Sequence, residues 1–170
     1  YFSLYLCEAA TGKVLKRLTD VNADVEMVGQ DDKFVYYTSA EVSPVDNHLF
    51  RVEVKSGKKT RLTQAEGWHK VTMSGDMKYF VDNYSSLKVP RVILLVQNDG
   101  KKVKELLKAE DPTKDYNFGE ITLGTVKSAD GKFNNYYRLI KPMNFDASRK
   151  YPVIVYVYGG PHSQMVKNTW

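Results

Sequence analysis

Apolar and polar residues alternate in short runs along most of the chain, and turns rich in glycine, aspartate and serine separate these runs. Three related stretches, residues 4–19, 49–63 and 92–107, each place an alternating run before a glycine-containing turn and a second run. Val, Tyr, Phe and Thr crowd these stretches, and alternation with a period of two is the pattern of half-buried strands. Because no apolar stripe with the helical period persists, the pattern predicts strands and not helices.

The turn glycines Gly12, Gly57 and Gly100 lie 45 and 43 residues apart. Between them, residues 31–38 and 74–81 each add a polar turn followed by aromatic and β-branched residues, which makes about four short strands per interval. Four antiparallel strands that repeat every ~40–45 residues are typical of a β-propeller blade. Closed propellers have about four to eight blades, so we expect the chain to begin inside a longer protein.

A change of composition suggests where the propeller ends. Residues 104–117 are rich in charge and are interrupted by Pro112, as is typical of a domain boundary. We therefore predict a boundary near residue 115. The expected domains are residues 1–115, which hold the last two blades of a propeller, and residues 116–170, which hold the first strands of a second domain.

The second domain is predicted to open with an antiparallel hairpin and a buried strand. Residues 119–127 and 135–141 flank a turn that contains Asp130-Gly131, a hairpin signal. Seven of the eight residues in 151–158 are β-branched or aromatic, which predicts a strand buried on both faces of an α/β sheet. The strand is followed by Gly159-Gly160-Pro161, where the chain must turn. Functional groups gather at the carboxyl ends of strands in such sheets, so Tyr158 is a candidate site residue.

The run Tyr-Pro-Val-Ile-Val-Tyr-Val-Tyr-Gly-Gly-Pro-His-Ser-Gln at residues 151–164 resembles a strand and loop of the prolyl oligopeptidase-type serine peptidases. The resemblance is strongest to the dipeptidyl-peptidase IV branch, whose form Tyr158, Pro161, Ser163 and Gln164 all match. It implies a mainly β chain that contains the C-terminal two blades of an eight-bladed β-propeller, followed by the first strands of an α/β-hydrolase sheet. It also implies that the parent protein releases N-terminal dipeptides, preferentially after Pro or Ala.

The same resemblance assigns roles to three residues. The hydroxyl of Tyr158 matches the family's oxyanion-hole donor, which stabilises the negative charge of a tetrahedral intermediate. Ser163 and Gln164 match a loop that lines the active-site cleft, so they are candidate substrate contacts. Hydrogen bonding of this loop to itself is an equally good interpretation of the pair.

The catalytic nucleophile is not expected in this chain. A serine hydrolase of this fold needs a Gly-x-Ser-x-Gly turn, followed in sequence by its acid and its histidine, and residues 1–170 contain no such turn. We therefore predict that residues 1–170 alone have no peptidase activity. His48, His69 and His162 have no partner at metal-ligand spacing, so each is predicted to be a surface or hydrogen-bonded histidine, and no metal or cofactor is expected.

Composition excludes some partners. The net charge of +5 comes from Lys and Arg spread along the chain, without the continuous stripe and stacking aromatics of a nucleic-acid site. The longest apolar runs fall short of the roughly twenty residues of a membrane helix.

The lone Cys7 is predicted to be a small buried residue. Resemblance further implies a peptide substrate with penultimate Pro or Ala, a homodimeric parent and an extracytoplasmic location, periplasmic or secreted.

Two alternative functions remain at this point. An acylaminoacyl-peptidase or oligopeptidase of the same clan would keep the fold and change the substrate, but Tyr158 together with Ser163 and Gln164 argues against it. A propeller module that only binds partners would have no chemistry. The predicted strand at residues 151–158 and the Gly-Gly-Pro after it argue against this second alternative, since a propeller does not need them.

Overall fold

The computed structural model describes residues 1–160 and 163–170. Within these ranges the regular structure consists of strands, and every ladder between named strands is antiparallel. The strands are β1 (Tyr5–Cys7), β2 (Val14–Arg17), β3 (Val25–Gln30), β4 (Phe34–Ser39), β5 (His48–Glu53), β6 (Lys59–Arg61), β7 (Trp68–Met73), β8 (Tyr79–Ser86), β9 (Val89–Gln97), β10 (Lys102–Lys108), β11 (Ile121–Lys127) and β12 (Asn134–Ile140).

The strands form two sheets of four and two hairpins. Strands β3 to β6 make one four-stranded sheet and β7 to β10 make the other, each with its strands side by side in chain order. The pairs β1–β2 and β11–β12 stand as two-stranded sheets. The repeat predicted a four-stranded unit between successive turn glycines, and Gly12, Gly57 and Gly100 do adopt positive φ angles of 70°, 77° and 94°. These conformations favour glycine, which explains its recurrence at this place in each unit.

The first four-stranded sheet is covered on both faces. Alternate residues of β4 point to opposite sides, so Val35 and Tyr37 enter one core while Tyr36 enters the other. The first core also contains Phe50 of β5 and is covered by Leu6 of β1. The second core lies between the two four-stranded sheets and joins residues of β4 and β5 to Phe80 and Val96 of the second sheet, among others. This double burial explains why β4 is almost entirely inaccessible to solvent.

The loop between β4 and β5 joins the two four-stranded sheets. Asn47 forms an isolated parallel bridge with Trp68, in which the N–H of Asn47 donates to the carbonyl of Gly67 (3.2 Å) and the N–H of His69 donates to the carbonyl of Asn47 (3.0 Å). The side-chain amide of Asn47 donates to the carbonyl of His69 at 2.8 Å. We call this junction of Asp46, Asn47, Gly67, Trp68 and His69 the seam.

Gly67 is required at the seam by its backbone. Its φ is +129°, and a Cβ atom placed on it would lie 2.2 Å from the carbonyl oxygen of Ser85. We expect Gly67→Ala to lower the free energy of unfolding by about 1–3 kcal/mol, because the strained conformation and the backbone clash must both be accommodated. Gly75→Ala is the matched control, since no atom lies within 4 Å of a Cβ there. Equal urea midpoints for the two variants would contradict this account.

The predicted second-domain hairpin is present, with β11 and β12 in unbroken register from Ile121↔Ile140 to Lys127↔Asn134. Its turn is held by Asp130, which accepts from the hydroxyl of Ser128 (2.6 Å) and the N–H of Lys132 (3.1 Å). The local sequence pattern predicted this hairpin correctly.

The prediction of a doubly buried strand at residues 151–158 is wrong in this structure. The segment has no regular secondary structure, and Ile154 is 97% exposed. A strand needs neighbours for its N–H and C=O groups, and no described strand lies beside this segment, while β11–β12 stays two-stranded. The described residues therefore contain no α/β sheet. The prediction for Cys7 is also wrong: Cys7 is exposed, because Leu6 is the residue of β1 that packs on the core and its neighbours point away from it.

Candidate functional site

Tyr158 lies in the exposed segment before the glycine pair. Its side chain is 56% exposed and folds back over its own loop, since a Cβ on Gly160 would lie 2.7 Å from the phenol oxygen. No hydrogen-bond partner for its hydroxyl is found among the residues that the structure describes. A phenol in this state can donate to an incoming oxygen atom without first breaking an internal bond.

Ser163 and Gln164 lie beside the seam. The hydroxyl of Ser163 is 3.7 Å from the sulfur of Met165, and the side-chain amide of Gln164 donates to the carbonyl of Val166 at 2.7 Å. Both residues also line an open cavity of about 930 Å³, whose other walls include Trp68 and His69. The loop thus hydrogen-bonds within itself and faces a cavity at once. His162 and Pro161 lie outside the described residues.

The structure brings Ser163 and Gln164 together, but Tyr158 is not part of the wall of their cavity.

Residues 163–170, here called the C-terminal segment, lie against the second four-stranded sheet. The ammonium group of Lys167 sits 4.5 Å from the centre of the Trp68 ring, and the N–H of Trp170 donates to the hydroxyl of Ser85 at 3.4 Å. Trp68 and Ser85 lie opposite each other in the β7–β8 ladder, so the segment is attached to one end of this pair.

A buried group of titratable side chains, which we call the histidine cluster, lies directly behind the seam. It consists of His48, His69 and Asp82, which are 2%, 1% and 3% exposed. Nδ1 of His69 is 2.8 Å and 2.9 Å from the two carboxylate oxygens of Asp82, and Nε2 is 2.9 Å from the carbonyl oxygen of Ala65. The ring centres of the two histidines are 5.0 Å apart.

The hydrogen bonds of His69 define its role. Its two ring nitrogens face the carboxylate of Asp82 and the carbonyl of Ala65, so His69 and Asp82 have the geometry of a buried ion pair. A histidine next to a carboxylate is two thirds of a catalytic triad. However, the second nitrogen of His69 is occupied by a carbonyl group, and the ring has no access to solvent. The pair cannot act as a general base and is a structural ion pair.

His48 is held neutral beside this pair. Burial, followed by the positive charge of His69, lowers the pKa of His48 to about 4, and Arg61 lowers it further while Asp46 opposes the shift. The hydroxyl oxygen of Thr63 accepts from the N–H of Leu49 (3.0 Å) and lies 3.1 Å from Nδ1 of His48. A hydrogen bond to the backbone of Thr63 opposes the lowering of the His48 pKa, and burial outweighs it.

This difference makes stability depend on pH. The unfolded chain binds a proton at His48 near pH 6.5, whereas the folded protein does so only near pH 4. The unfolded state therefore holds more protons between these values, and the free energy of unfolding should fall as pH drops from about 6.5 to about 4, by up to about 3 kcal/mol. Urea unfolding of the wild type and of His48→Gln at several pH values measures this. The prediction fails if the difference between the two proteins is constant over that range.

The sequence predicted that His48 and His69 are either surface or hydrogen-bonded histidines. Both are buried and hydrogen-bonded in the structure. In the described ranges, no three His, Cys, Asp or Glu side chains are placed to hold a metal ion. In the same ranges, no helix is long and apolar enough to cross a membrane.

Comparison with known proteins identifies relatives along the whole chain. A family model described as dipeptidyl peptidase IV (DPP IV) N-terminal region matches residues 1–91, which is more than half of the chain. Dipeptidyl peptidase 8 of Homo sapiens is 32% identical over 147 residues, which is 80% of this chain and 16% of that protein. Dipeptidyl peptidase 4 of Arthroderma otae is 28% identical over 176 residues, which is 98% of this chain and 22% of that protein.

Solved structures of dipeptidyl peptidases also resemble this chain. The crystal structure of Porphyromonas gingivalis dipeptidyl peptidase 4 superposes with a TM-score of 0.90 and is 30% identical, with 98% of this chain and 24% of that chain covered. The antiparallel sheets described above therefore resemble part of that structure. The chain spans between 16% and 24% of the length of these relatives.

Proposed function

The chain belongs to the dipeptidyl peptidase IV family, and on that premise we propose that it is part of a serine exopeptidase that releases N-terminal dipeptides ending in Pro or Ala. The observation that carries the proposal is the match of 98% of the chain to a dipeptidyl peptidase 4 structure at a TM-score of 0.90. This match reaches beyond the residues of the family model and leaves no room for a large unrelated segment. The Tyr-Gly-Gly-Pro-His-Ser-Gln run at residues 158–164 adds the family's form of the oxyanion loop.

In this proposal the two four-stranded sheets are the last two blades of an eight-bladed propeller, within residues 1–115. The order of strands supports it, since each sheet is a simple meander and the two pack face to face through a shared core. Residues 116–170 then begin the α/β-hydrolase domain. In the full-length protein we expect residues 151–158 to pair with further strands, because a run of exposed apolar side chains from Val153 to Val157 needs a cover.

Tyr158 is proposed to donate its hydroxyl proton in a hydrogen bond to the substrate oxygen as that oxygen becomes negative. The charge exists only in the tetrahedral intermediate and its flanking transition states, so the donor stabilises these more than it stabilises the bound substrate. The exposure of Tyr158 and its lack of a partner among the described residues support this role. Attack on the carbonyl and proton transfer would come from a serine, an acid and a histidine elsewhere in the longer protein.

Ser163 and Gln164 are proposed to contact the substrate from the cavity wall that they share. The partner is then a peptide with Pro or Ala as its second residue. A homodimeric parent and an extracytoplasmic location, periplasmic or secreted, remain proposals that rest on family membership.

The test is hydrolysis by the full-length protein of an unblocked Xaa-Pro chromogenic substrate, with the same substrate acetylated at its amino terminus as the matched control. Release of chromophore from the free peptide alone supports the proposal. Cleavage of N-acetyl amino acids or of internal bonds would favour an acylaminoacyl-peptidase or an oligopeptidase. If no peptide is cleaved at all, the enzyme hypothesis is wrong. Residues 1–170 alone should cleave none of these substrates.

A further inference from the structure

Asn168 uses all of its polar side-chain groups to hold the C-terminal segment on the two four-stranded sheets. Its backbone N–H donates to the carbonyl of Val45 at 2.7 Å, and its side-chain Nδ2 donates to Oδ1 of Asp46 at 2.8 Å. Its Oδ1 accepts from the N–H of Leu87 at 3.0 Å. These partners are 81 to 123 positions away in sequence, so the contacts are tertiary and not a local turn.

The partners of Asn168 belong to both sheets. Val45 and Asp46 lie in the loop that connects β4 and β5, whereas Leu87 lies in the turn between β8 and β9. Asp46 is itself part of the seam, because its Oδ1 also accepts from the N–H of Gly67 at 3.1 Å. Asn168 therefore binds at the point where the two sheets are joined.

The chemistry at this point selects an amide. One side-chain atom must donate to a carboxylate while the other accepts from a backbone N–H, and only Asn or Gln offers both on one short side chain. Asp would bring a second carboxylate against Asp46, and an apolar residue would leave the N–H of Leu87 and part of Asp46 without their partner.

The anchor lies close to the candidate substrate contacts. Gln164 is bonded to the carbonyl of Val166 within the segment, while Lys167 rests on the Trp68 ring and Asn168 bonds to Asp46. A displacement of Asn168 must therefore move the cavity wall that carries Ser163 and Gln164.

We propose that Asn168 is a positioning residue, which fixes the C-terminal segment to the seam and so places Ser163 and Gln164 for contact with the substrate. This inference rests on the proposed function. Misplacement of catalytic groups by about 1 Å can cost about 100-fold in rate, so the anchor should act on turnover more than on overall stability.

The experiment uses the full-length protein and exchanges the two partners. Asn168→Asp places a carboxylate against Asp46 and keeps the acceptor for Leu87, and adding Asp46→Asn restores a donor opposite the new carboxylate. Asn135→Asp makes the same chemical change at an exposed position of β12 and is the matched control. The measurements are kcat and KM on an Xaa-Pro substrate, the thermal midpoint, and hydrogen exchange of peptides that cover residues 84–88 and 163–170.

We expect Asn168→Asp to lower kcat at least about tenfold and to speed exchange in both peptides, with little change in the thermal midpoint. The double variant should recover most of both losses, and Asn135→Asp should match the wild type. If Asn168→Asp does not fold, Asn168→Ala replaces it, because it removes both side-chain bonds without adding a charge.

Three results would overturn the inference: unchanged exchange in Asn168→Asp, faster exchange with wild-type kcat, or no recovery in the double variant. The first shows that Asn168 is no anchor, the second that the anchor does not serve catalysis, and the third that the pairing with Asp46 is not the reason. A full-length wild type without peptidase activity would instead refute the proposed function. The catalytic part of the inference would then be refuted with it. In that case the exchange data alone decide whether the anchor exists.

Discussion

Tyr158→Phe in the full-length protein should lower kcat by about 100- to 1000-fold on an Xaa-Pro substrate, with little change in KM. The substitution removes one hydroxyl group, and loss of an oxyanion donor typically costs about 2.7–4 kcal/mol of transition-state stabilisation. The substrate carbonyl in the ground state carries little negative charge, so binding should change far less than turnover. Because the side chain is exposed and its hydroxyl has no partner among the described residues, the fold should not depend on it.

Tyr156→Phe is the matched control for this measurement. Tyr156 lies two residues earlier in the same segment and is 82% exposed, so it loses the same group from a similar environment. Near-wild-type kcat in Tyr156→Phe together with a large loss in Tyr158→Phe would assign the effect to the hydroxyl at position 158. Wild-type kcat in Tyr158→Phe would remove Tyr158 from the catalytic site.

The second large effect concerns the histidine cluster. Asp82→Ala should lower the free energy of unfolding by about 3–5 kcal/mol, because it leaves the positive charge of His69 buried without its partner. The carboxylate is 3% exposed and bonded through both oxygens, so water cannot replace it without rearranging the core. Equilibrium urea unfolding measures the loss.

Glu105→Ala is the control for Asp82→Ala, since it removes an exposed carboxylate from β10 of the same sheet. Surface substitutions of this kind usually change stability by no more than about 0.5 kcal/mol. If the two variants unfold at similar urea concentrations, His69 and Asp82 are not the strongly coupled pair that their geometry indicates.

The parts of the fold that the sequence predicted are those that depend on neighbouring residues. Gly57 and Gly100 recur because a turn needs positive φ at one position, and Ser128 and Asp130 bond to their own turn. Such rules act over a few residues and can be seen in a single sequence. The polar turn at residues 31–33 followed by aromatic and β-branched residues likewise predicted the strand β4.

The strand predicted at residues 151–158 shows the limit of this approach. An apolar run indicates that a segment can be buried, but pairing depends on which other strands lie beside it. The apolar composition of the segment was predicted correctly, but the described residues provide no strand that pairs with it. The exposed side chains from Val153 to Val157 are the visible result.

The site residues that sequence analysis missed depend on register. His69 lies opposite Tyr84 in the β7–β8 ladder, so Asp82 is its diagonal neighbour on the same face. Knowledge of that register would have predicted the ion pair, and alternation alone could not supply it. Asn168 had no local signal at all, because Asp46 lies 122 residues away.

The position of β4 between two cores determines how cooperatively the protein unfolds. A one-residue shift of this strand would turn Tyr36 to the face that Tyr37 now occupies. The side chains of the two hydrophobic cores would then be exchanged. Neither interior can be lost while the other survives intact, since both are bounded by the same backbone. Chemical denaturation should therefore show one sharp transition for residues 4–97, and not the stepwise melting of modules that merely touch end to end.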